Sequence, residues 1–116
     1  MSRKKIVEPR NKYDKLPLLK GQFFYTQGEK MESPNYYAII PANVRYCEKL
    51  SASEKVLYGE IMALCFVDGV CVETNRYFAT LYGVSERSVQ KWINNLDKVG
   101  FIRSDVNGGK RTIRIA

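Results

Sequence analysis

The sequence predicts a mostly α-helical domain with a small β-hairpin, an α+β fold in which a three-helix core is followed by a C-terminal wing. Three segments with apolar residues at helical spacing each begin directly after a residue that caps helices well, namely Ser51, Thr74 and Ser85. Two alternating apolar and polar stretches then flank the turn Asn107-Gly-Gly-Lys110, which is a strong hairpin signal. A chain of 116 residues, 45% of them apolar, holds enough apolar material for one such core.

Residues 1–35 are predicted to form a basic N-terminal arm or extension, and residues 36–116 the domain itself. The arm has little apolar periodicity, contains three prolines and holds eight Lys/Arg against four Asp/Glu. Its run Gln22-Phe-Phe-Tyr-Thr26 fits a strand as well as it fits a set of aromatic side chains packed on the core. The basic residues of the arm could follow a DNA groove or simply keep the chain in solution, and they include Arg3, Lys4, Lys5, Arg10 and Lys12.

Capping and stop signals set the predicted bounds of the helices. Ser51 and Glu54 have the spacing of a capping box, in which each side chain accepts a hydrogen bond from the other residue's amide. Gly83 and Gly100 stand where a left-handed residue ends a helix. The predicted elements are a short helix at 42–47, a long helix at 52–66, a small strand at 70–72, helices at 75–82 and 86–99, and hairpin strands at 101–106 and 111–115.

The turn between the second and third long helices carries the pattern of a helix-turn-helix. Such a motif needs a small residue where the helices cross, a glycine four residues later, and a β-branched residue about six positions further on. Those places hold Ala79, Gly83 and Val89. The flanking core positions hold Phe78, Val84 and Trp92. With the hairpin that follows, the sequence therefore predicts a winged helix-turn-helix.

The last helix separates an apolar stripe from a face suited to DNA. At 100° per residue, Val89, Trp92, Ile93 and Leu96 fall within one stripe. The opposite face carries three cations, no acid, and amide side chains whose donors and acceptors suit base edges, which favours DNA recognition over a merely solvated surface. Ser85 is expected chiefly to cap the helix. The predicted DNA-binding residues of this helix are Ser85, Arg87, Ser88, Gln90, Lys91, Asn94 and Lys98.

The wing and the second helix supply further candidates for DNA contact. Lys110 and Arg111 lie at the predicted tip of the wing, where a wing crosses the DNA backbone or the minor groove. Arg103 and Arg114 lie on its strands, where charge that protects an exposed edge is an equally good interpretation. On the second helix, Arg76 and Tyr77 are candidates for contact with the flanking DNA backbone.

The distribution of charge favours a polyanionic partner. The net charge is +7, and residues 84–116 hold seven Lys/Arg against three Asp/Glu, whereas residues 36–83 hold four against five. Positive charge that gathers outside the middle of the chain is better evidence for nucleic acid than a basic composition alone.

Missing residue types and motifs argue against other classes of function. The chain has no histidine and three cysteines without a C-x-x-C pair, so we expect neither a zinc site nor another cofactor. The acids are scattered and no phosphate-binding loop is present, so the sequence predicts no enzyme. No apolar stretch has the length of a membrane helix or the place of a secretory signal, which predicts a cytoplasmic protein.

Three motifs carry a resemblance to a known family. They are Leu50-Ser-Ala-Ser-Glu-Lys-Val-Leu-Tyr58, then Tyr77-Phe-Ala79 with Gly83-Val-Ser-Glu-Arg-Ser-Val-Gln-Lys-Trp92, and Leu96-Asp-Lys-Val-Gly-Phe-Ile102. From about Tyr36 onward the chain resembles the winged helix-turn-helix domains of phage and plasmid replication initiators, also called replisome organisers. The resemblance implies binding to repeated origin sequences, with a further C-terminal region that recruits a helicase or helicase loader. Because the chain stops at Ala116, we expect either a truncated protein or one with only the DNA-binding part.

Three functions follow from this reading, and the sequence separates them poorly. The first is origin recognition in replication initiation, with several copies on repeated sites, and the second is transcriptional repression by the same module. The third is a winged helix that binds another protein, which predicts weak DNA binding with little dependence on salt.

Overall fold

The computed structural model describes residues 36–116 in full and the backbone of residues 22–26 and 29–33. The elements in chain order are β1 (Gln22–Thr26), β2 (Glu29–Ser33), α1 (Ala42–Arg45), α2 (Ala52–Asp68), α3 (Asn75–Tyr82), α4 (Glu86–Val99), β3 (Ile102–Asn107) and β4 (Lys110–Ile115). The strands β3 and β4 form an antiparallel hairpin. Helices α2, α3 and α4 with this hairpin make up a winged helix-turn-helix, and the predicted α+β fold is confirmed.

Each of the three long helices begins at the residue that the capping signals indicate. Side-chain oxygens of Ser51, Thr74 and Ser85 accept hydrogen bonds from the amide three residues later, at 3.2, 3.1 and 3.0 Å. At α2 the capping box is complete, because the Glu54 carboxylate also accepts from the Ser51 amide. These bonds satisfy amides that a helix start leaves without partners, and they fix the helix boundaries.

The core lies between α2, α3, α4 and the strand β4. Its fully buried side chains include Leu57 and Ile61 from α2, Phe78 from α3, Ile93 from α4 and Ile113 from β4. Burial of such side chains stabilises the fold by about 1.5–3 kcal/mol each. Because α4 turns its apolar stripe towards this core, its other face is left on the surface.

Five elements differ from the sequence-based expectation. Strand β3 lies one residue further along the chain than expected and β4 begins one residue earlier, and three larger differences concern α1, α2 and residues 70–72. Helix α1 is two residues shorter than expected, and α2 continues to Asp68, where Gly69 ends it in the left-handed conformation. Residues 70–72 form no strand of their own. Instead, Cys71 makes an isolated antiparallel bridge to Ile113, with both backbone hydrogen bonds at 2.8 Å. This bridge ties the α2–α3 connection to the wing.

The run at residues 22–26 forms a strand, which was one of its two interpretations. It pairs in antiparallel register with β2, an element that the sequence analysis did not predict. The predictions for the remainder of the arm, including its basic residues Arg3, Lys4, Lys5, Arg10 and Lys12, lie outside the described residues. Within the described part of the chain, no helix combines the length and apolar character needed to span a membrane.

Candidate nucleic-acid interface

The turn between α3 and α4 has the geometry that its sequence pattern predicts. Gly83 adopts φ 68° and ψ 38°, a left-handed conformation in which its amide donates to the carbonyl of Ala79. The Val84 amide donates to the same carbonyl at 3.0 Å. Ala79 is buried and Val89 is fully buried, so the small residue and the β-branched residue both face the crossing of the two helices. The turn thereby fixes the direction of α4.

The outward face of α4 is polar and cationic. Val89, Ile93 and Leu96 of α4 are buried in the core. The five predicted DNA contacts of α4 other than its two serines are all exposed. Among the residues that the structure describes, none of the cations on this face forms an ion pair. The exposed residues of the face are Arg87, Gln90, Lys91, Asn94 and Lys98. An unpaired cationic face of this kind is free to contact an anionic partner.

Ser85 and Ser88 form the start of α4 and bond to each other. Ser85 Oγ accepts from the Ser88 amide and donates to Ser88 Oγ at 3.1 Å. Ser85 therefore caps the helix, which was the expected role. A contact of either hydroxyl with phosphate stays a prediction.

The wing carries exposed cations at its tip and on one face. Its turn consists of Gly108 and Gly109, whose φ angles of 60° and 80° fit the tight turn of a two-residue hairpin. Lys110 follows this turn and is exposed. Arg103 and Arg114 are exposed and directly opposite each other across the hairpin. Two like charges in this arrangement destabilise a sheet, and a bound anion would relieve their repulsion.

Arg111 differs from the exposed cation that the sequence predicts. It lies one pair further from the turn than Lys110, opposite Val106, and its side chain is half-buried. Its guanidinium donates from Nη1 to Asn75 Oδ1 at 2.6 Å and from Nη2 to the carbonyl of Glu73 at 2.8 Å. Burial lowers the pKa of this guanidinium. Arg111 therefore fastens the wing to the start of α3, and direct contact with DNA stays a prediction.

A run of side-chain hydrogen bonds leads from Arg111 to the outward face of α4. Asn75, the first residue of α3, donates from Nδ2 to Gln90 Oε1 at 2.7 Å. Gln90 in turn donates from Nε2 to Asn94 Oδ1, also at 2.7 Å. The run thus connects wing, α3 and α4, and we call it the amide relay, defined by Arg111, Asn75, Gln90 and Asn94.

The two candidates on α3 point in different directions. Arg76 is exposed and remains a candidate for contact with the DNA backbone. Tyr77 is only partly exposed, because its hydroxyl lies beside that of Tyr36, and burial together with the Glu60 carboxylate raises the pKa of Tyr77. The hydroxyl of Tyr77 is therefore directed into the protein rather than outward, which the sequence analysis did not anticipate.

A cleft of about 520 Å³ separates the wing from the starts of α3 and α4. The lining cations are Arg76, Lys110 and Arg111, and the lining acids are Glu73 and Glu86. Mixed charge makes this cleft a weak attractor for phosphate.

A second, apolar groove of about 500 Å³ lies along α2 and β4. Its lining side chains include Ile39 and Phe66, which expose 68% and 71% of their surface. This groove contains none of the predicted DNA contacts.

Nothing in the described residues forms a metal site or a reactive thiol pair. The described part of the chain holds no group of three or more His, Cys, Asp or Glu side chains arranged to bind a metal. Cys47 and Cys65 form no disulfide within the described part of the chain. Burial, with a smaller contribution from Cys71, raises the pKa of the Cys65 thiol to about 11, so this thiol stays protonated near neutral pH.

Two asparagines whose side chains join separate elements were not singled out in the sequence. Asn75 looked only like the first residue of a helix. Asn95 was not among the candidates, yet its Nδ2 donates to Glu54 Oε1 at 2.8 Å and to the carbonyl of Lys49 at 3.1 Å. No local sequence signal marks either role, because both partners are distant along the chain.

Comparison with known families agrees with this geometry. Residues 48–102 match the model of a family described as a helix-turn-helix domain. No curated protein and no solved structure matches the chain. The matched segment spans α2, the α3–turn–α4 unit and the residue at which the wing begins. The segment is thus similar to helix-turn-helix domains, which agrees with the fold of α2, α3, α4 and the wing, and the match supports DNA binding.

Proposed function

We propose that this protein binds double-stranded DNA in a sequence-specific manner, with α4 in the major groove and the wing against the backbone. The observation that carries the proposal is the outward face of α4, which is exposed, cationic and without ion pairs among the described residues. Helix α4 is the second helix of a helix-turn-helix, and the turn at Gly83 fixes its direction. A helix of this kind fits the major groove, where base edges present distinct sets of donors and acceptors.

The exposed residues divide by chemistry into base contacts and phosphate contacts. Gln90 and Asn94 carry amides, and Arg87 carries a forked guanidinium, all of which suit base edges in the major groove. Lys91 lies on the same face and is a further candidate for base contact. Lys98, near the end of α4, and Lys110, at the tip of the wing, are suited to phosphate. The guanidinium of Arg111 is hydrogen-bonded to Asn75, so we expect Arg111 to affect DNA binding through Asn75.

The test measures affinity for a selected duplex as a function of salt concentration. Lys110→Ala should weaken binding to all sequences alike and reduce the salt slope by about 0.9, because one phosphate contact is lost. Arg87→Ala or Lys91→Ala should weaken binding to the selected site more than to unrelated DNA, since a good base contact is worth about 1–3 kcal/mol of discrimination. Lys49→Ala is the matched control, because Lys49 is exposed but precedes α2. Unchanged affinity in all three test variants would refute the proposed face.

The finer proposal is that the DNA target lies in a replication origin, in the cytoplasm of a bacterial or phage-infected cell. It is supported by the resemblance of the three sequence motifs to replication initiators. Several copies would then bind repeated sites, and replication proteins such as a helicase or its loader would bind through regions beyond this chain. Footprinting on the source genome separates the roles: clustered repeats within a replication gene support origin recognition, and a single operator at a promoter supports repression.

A further inference from the structure

We propose that Asn75 and Arg111 are positioning residues. They fix the orientation of the side-chain amide groups that Gln90 and Asn94 present to the DNA bases. The inference rests on the proposed function, because it concerns how α4 reads sequence. Its basis is the amide relay, which leads without a break from the wing through the start of α3 to the outward face of α4.

The direction of the relay follows from the chemistry of its first member. A guanidinium can only donate, so the Asn75 atom that Arg111 Nη1 contacts at 2.6 Å must be the carbonyl oxygen. The amide nitrogen of Asn75 then faces Gln90, and the Gln90 atom that meets it must be the oxygen, at 2.7 Å. The Gln90 nitrogen is left to donate to the oxygen of Asn94. Each amide is thus oriented by the one before it.

Arg111 can serve as the fixed start of the relay because other contacts hold it. Its Nη2 donates to the carbonyl of Glu73, and its side chain is half-buried. Its strand is tied to the α2–α3 connection by the bridge between Cys71 and Ile113. A flipped Asn75 amide would place two donors against each other with no acceptor between them, at a cost comparable to a lost hydrogen bond.

The consequence is a fixed order of hydrogen-bonding groups along α4. An amide oxygen accepts two hydrogen bonds and an amide nitrogen donates two, so Gln90 keeps one acceptor site and one donor site for DNA. Asn94 keeps both hydrogens of Nδ2 and one acceptor site on Oδ1. Gln90 in this order matches adenine, whose N6 donates and whose N7 accepts, and Asn94 matches a base acceptor such as guanine O6 or thymine O4.

Asn75→Asp reverses this order while it preserves the shape of the side chain. The new carboxylate still accepts from Arg111, but it cannot donate, so Gln90 must turn its nitrogen towards residue 75 and its oxygen towards Asn94. The first turn of a helix tolerates the added negative charge. Thr74→Asp is the matched control, because it adds the same charge one residue earlier, keeps a capping side chain, and leaves the relay intact.

The readout is base preference, measured by selection from a randomised duplex library at one salt concentration. Gln90→Ala first identifies the base position that Gln90 reads. We expect the wild type and Thr74→Asp to select the same bases. Asn75→Asp should change the preference roughly tenfold at the position identified by Gln90→Ala and at its neighbour. Because both aspartate variants add the same charge, a merely electrostatic effect would change both alike. A merely structural role of Asn75 would lower the affinity for all sequences without changing the selected bases.

Two results overturn the inference, and they are distinguishable. If the wild type selects a sequence but Asn75→Asp and Thr74→Asp select the same bases, the relay does not orient the amides and DNA binding still stands. If the folded wild type selects no sequence, the proposed function fails and the inference fails with it. Should circular dichroism show that Asn75→Asp does not fold, Arg111→Met removes the start of the relay instead. A broader preference at the same positions then supports the inference, and an unchanged preference overturns it.

Discussion

Glu54 fastens α4 to the start of α2, and its removal is expected to destabilise the domain. With 6% of its surface exposed, it is the single buried charged residue of the described chain. Its Oε1 accepts from the Ser51 amide at 2.9 Å and from Asn95 Nδ2 at 2.8 Å. Hydrogen bonds to a charged group are worth about 1.5–3 kcal/mol each. Because Ser51 is exposed, water can partly replace the lost partner, and we expect Glu54→Ala to cost about 2–4 kcal/mol in total.

Urea unfolding followed by far-ultraviolet circular dichroism measures this cost, and Glu86→Ala provides the matched control. Glu86 also lies in the first turn of a helix, but it is exposed and makes no hydrogen bond through its carboxylate within the described residues. Its loss should cost only the favourable interaction with the helix dipole, about 0.3–1 kcal/mol. If the two variants lose the same free energy of unfolding, the contact between Glu54 and Asn95 does not hold α4 in place.

Three further predictions concern stability. Gly83→Ala should lower the free energy of unfolding in urea by about 1–2 kcal/mol, because an alanine is strained at φ 68°. A clash does not contribute, since nothing lies within 4 Å of the new Cβ. A stabilised variant would contradict the left-handed turn. Trp92→Ala should cost less than the ~3–5 kcal/mol of a fully buried aromatic, because Trp92 is only partly buried; a larger loss by the same method would place its ring in the core. Burial and the Glu60 carboxylate raise the pKa values of Tyr36, Tyr77 and Tyr82 above 10.0. The free energy of unfolding should therefore be undiminished below pH 10 and fall above it, because the folded state disfavours loss of these protons. A titration from pH 8 to 11 in which the free energy of unfolding does not fall would contradict this burial.

The helices and the wing could be predicted because their signals are local. Ser51, Thr74 and Ser85 cap the helices that follow them, and Gly83 and Gly100 end the helices that precede them, in each case through bonds within a few residues. The periodicity of α4 likewise predicts which face is buried. Sequence reasoning succeeds wherever a residue's partner is a near neighbour in the chain.

The parts that could not be predicted depend on contacts between distant residues. Arg111 looked like a tip cation, but its partner Asn75 lies 36 positions earlier in the chain. Tyr77 was a candidate for DNA contact on α3, yet it is only partly exposed, and burial together with the Glu60 carboxylate of α2 raises its pKa. Both side chains are of types that are usual on a DNA-binding surface, so composition could not show that they bond inside the protein. Only the packing of wing and helices on one another decides this.

A nitrogen–proton correlation NMR titration of the protein with its selected duplex tests the central claim most directly. We expect amide shifts to concentrate at Ser85, along α4 and around the wing turn at 107–110. Added salt should reverse those shifts in proportion to the loss of affinity. Shifts centred instead on the apolar groove beside Ile39 and Phe66, with α4 unaffected, would contradict recognition of DNA by the outward face of α4.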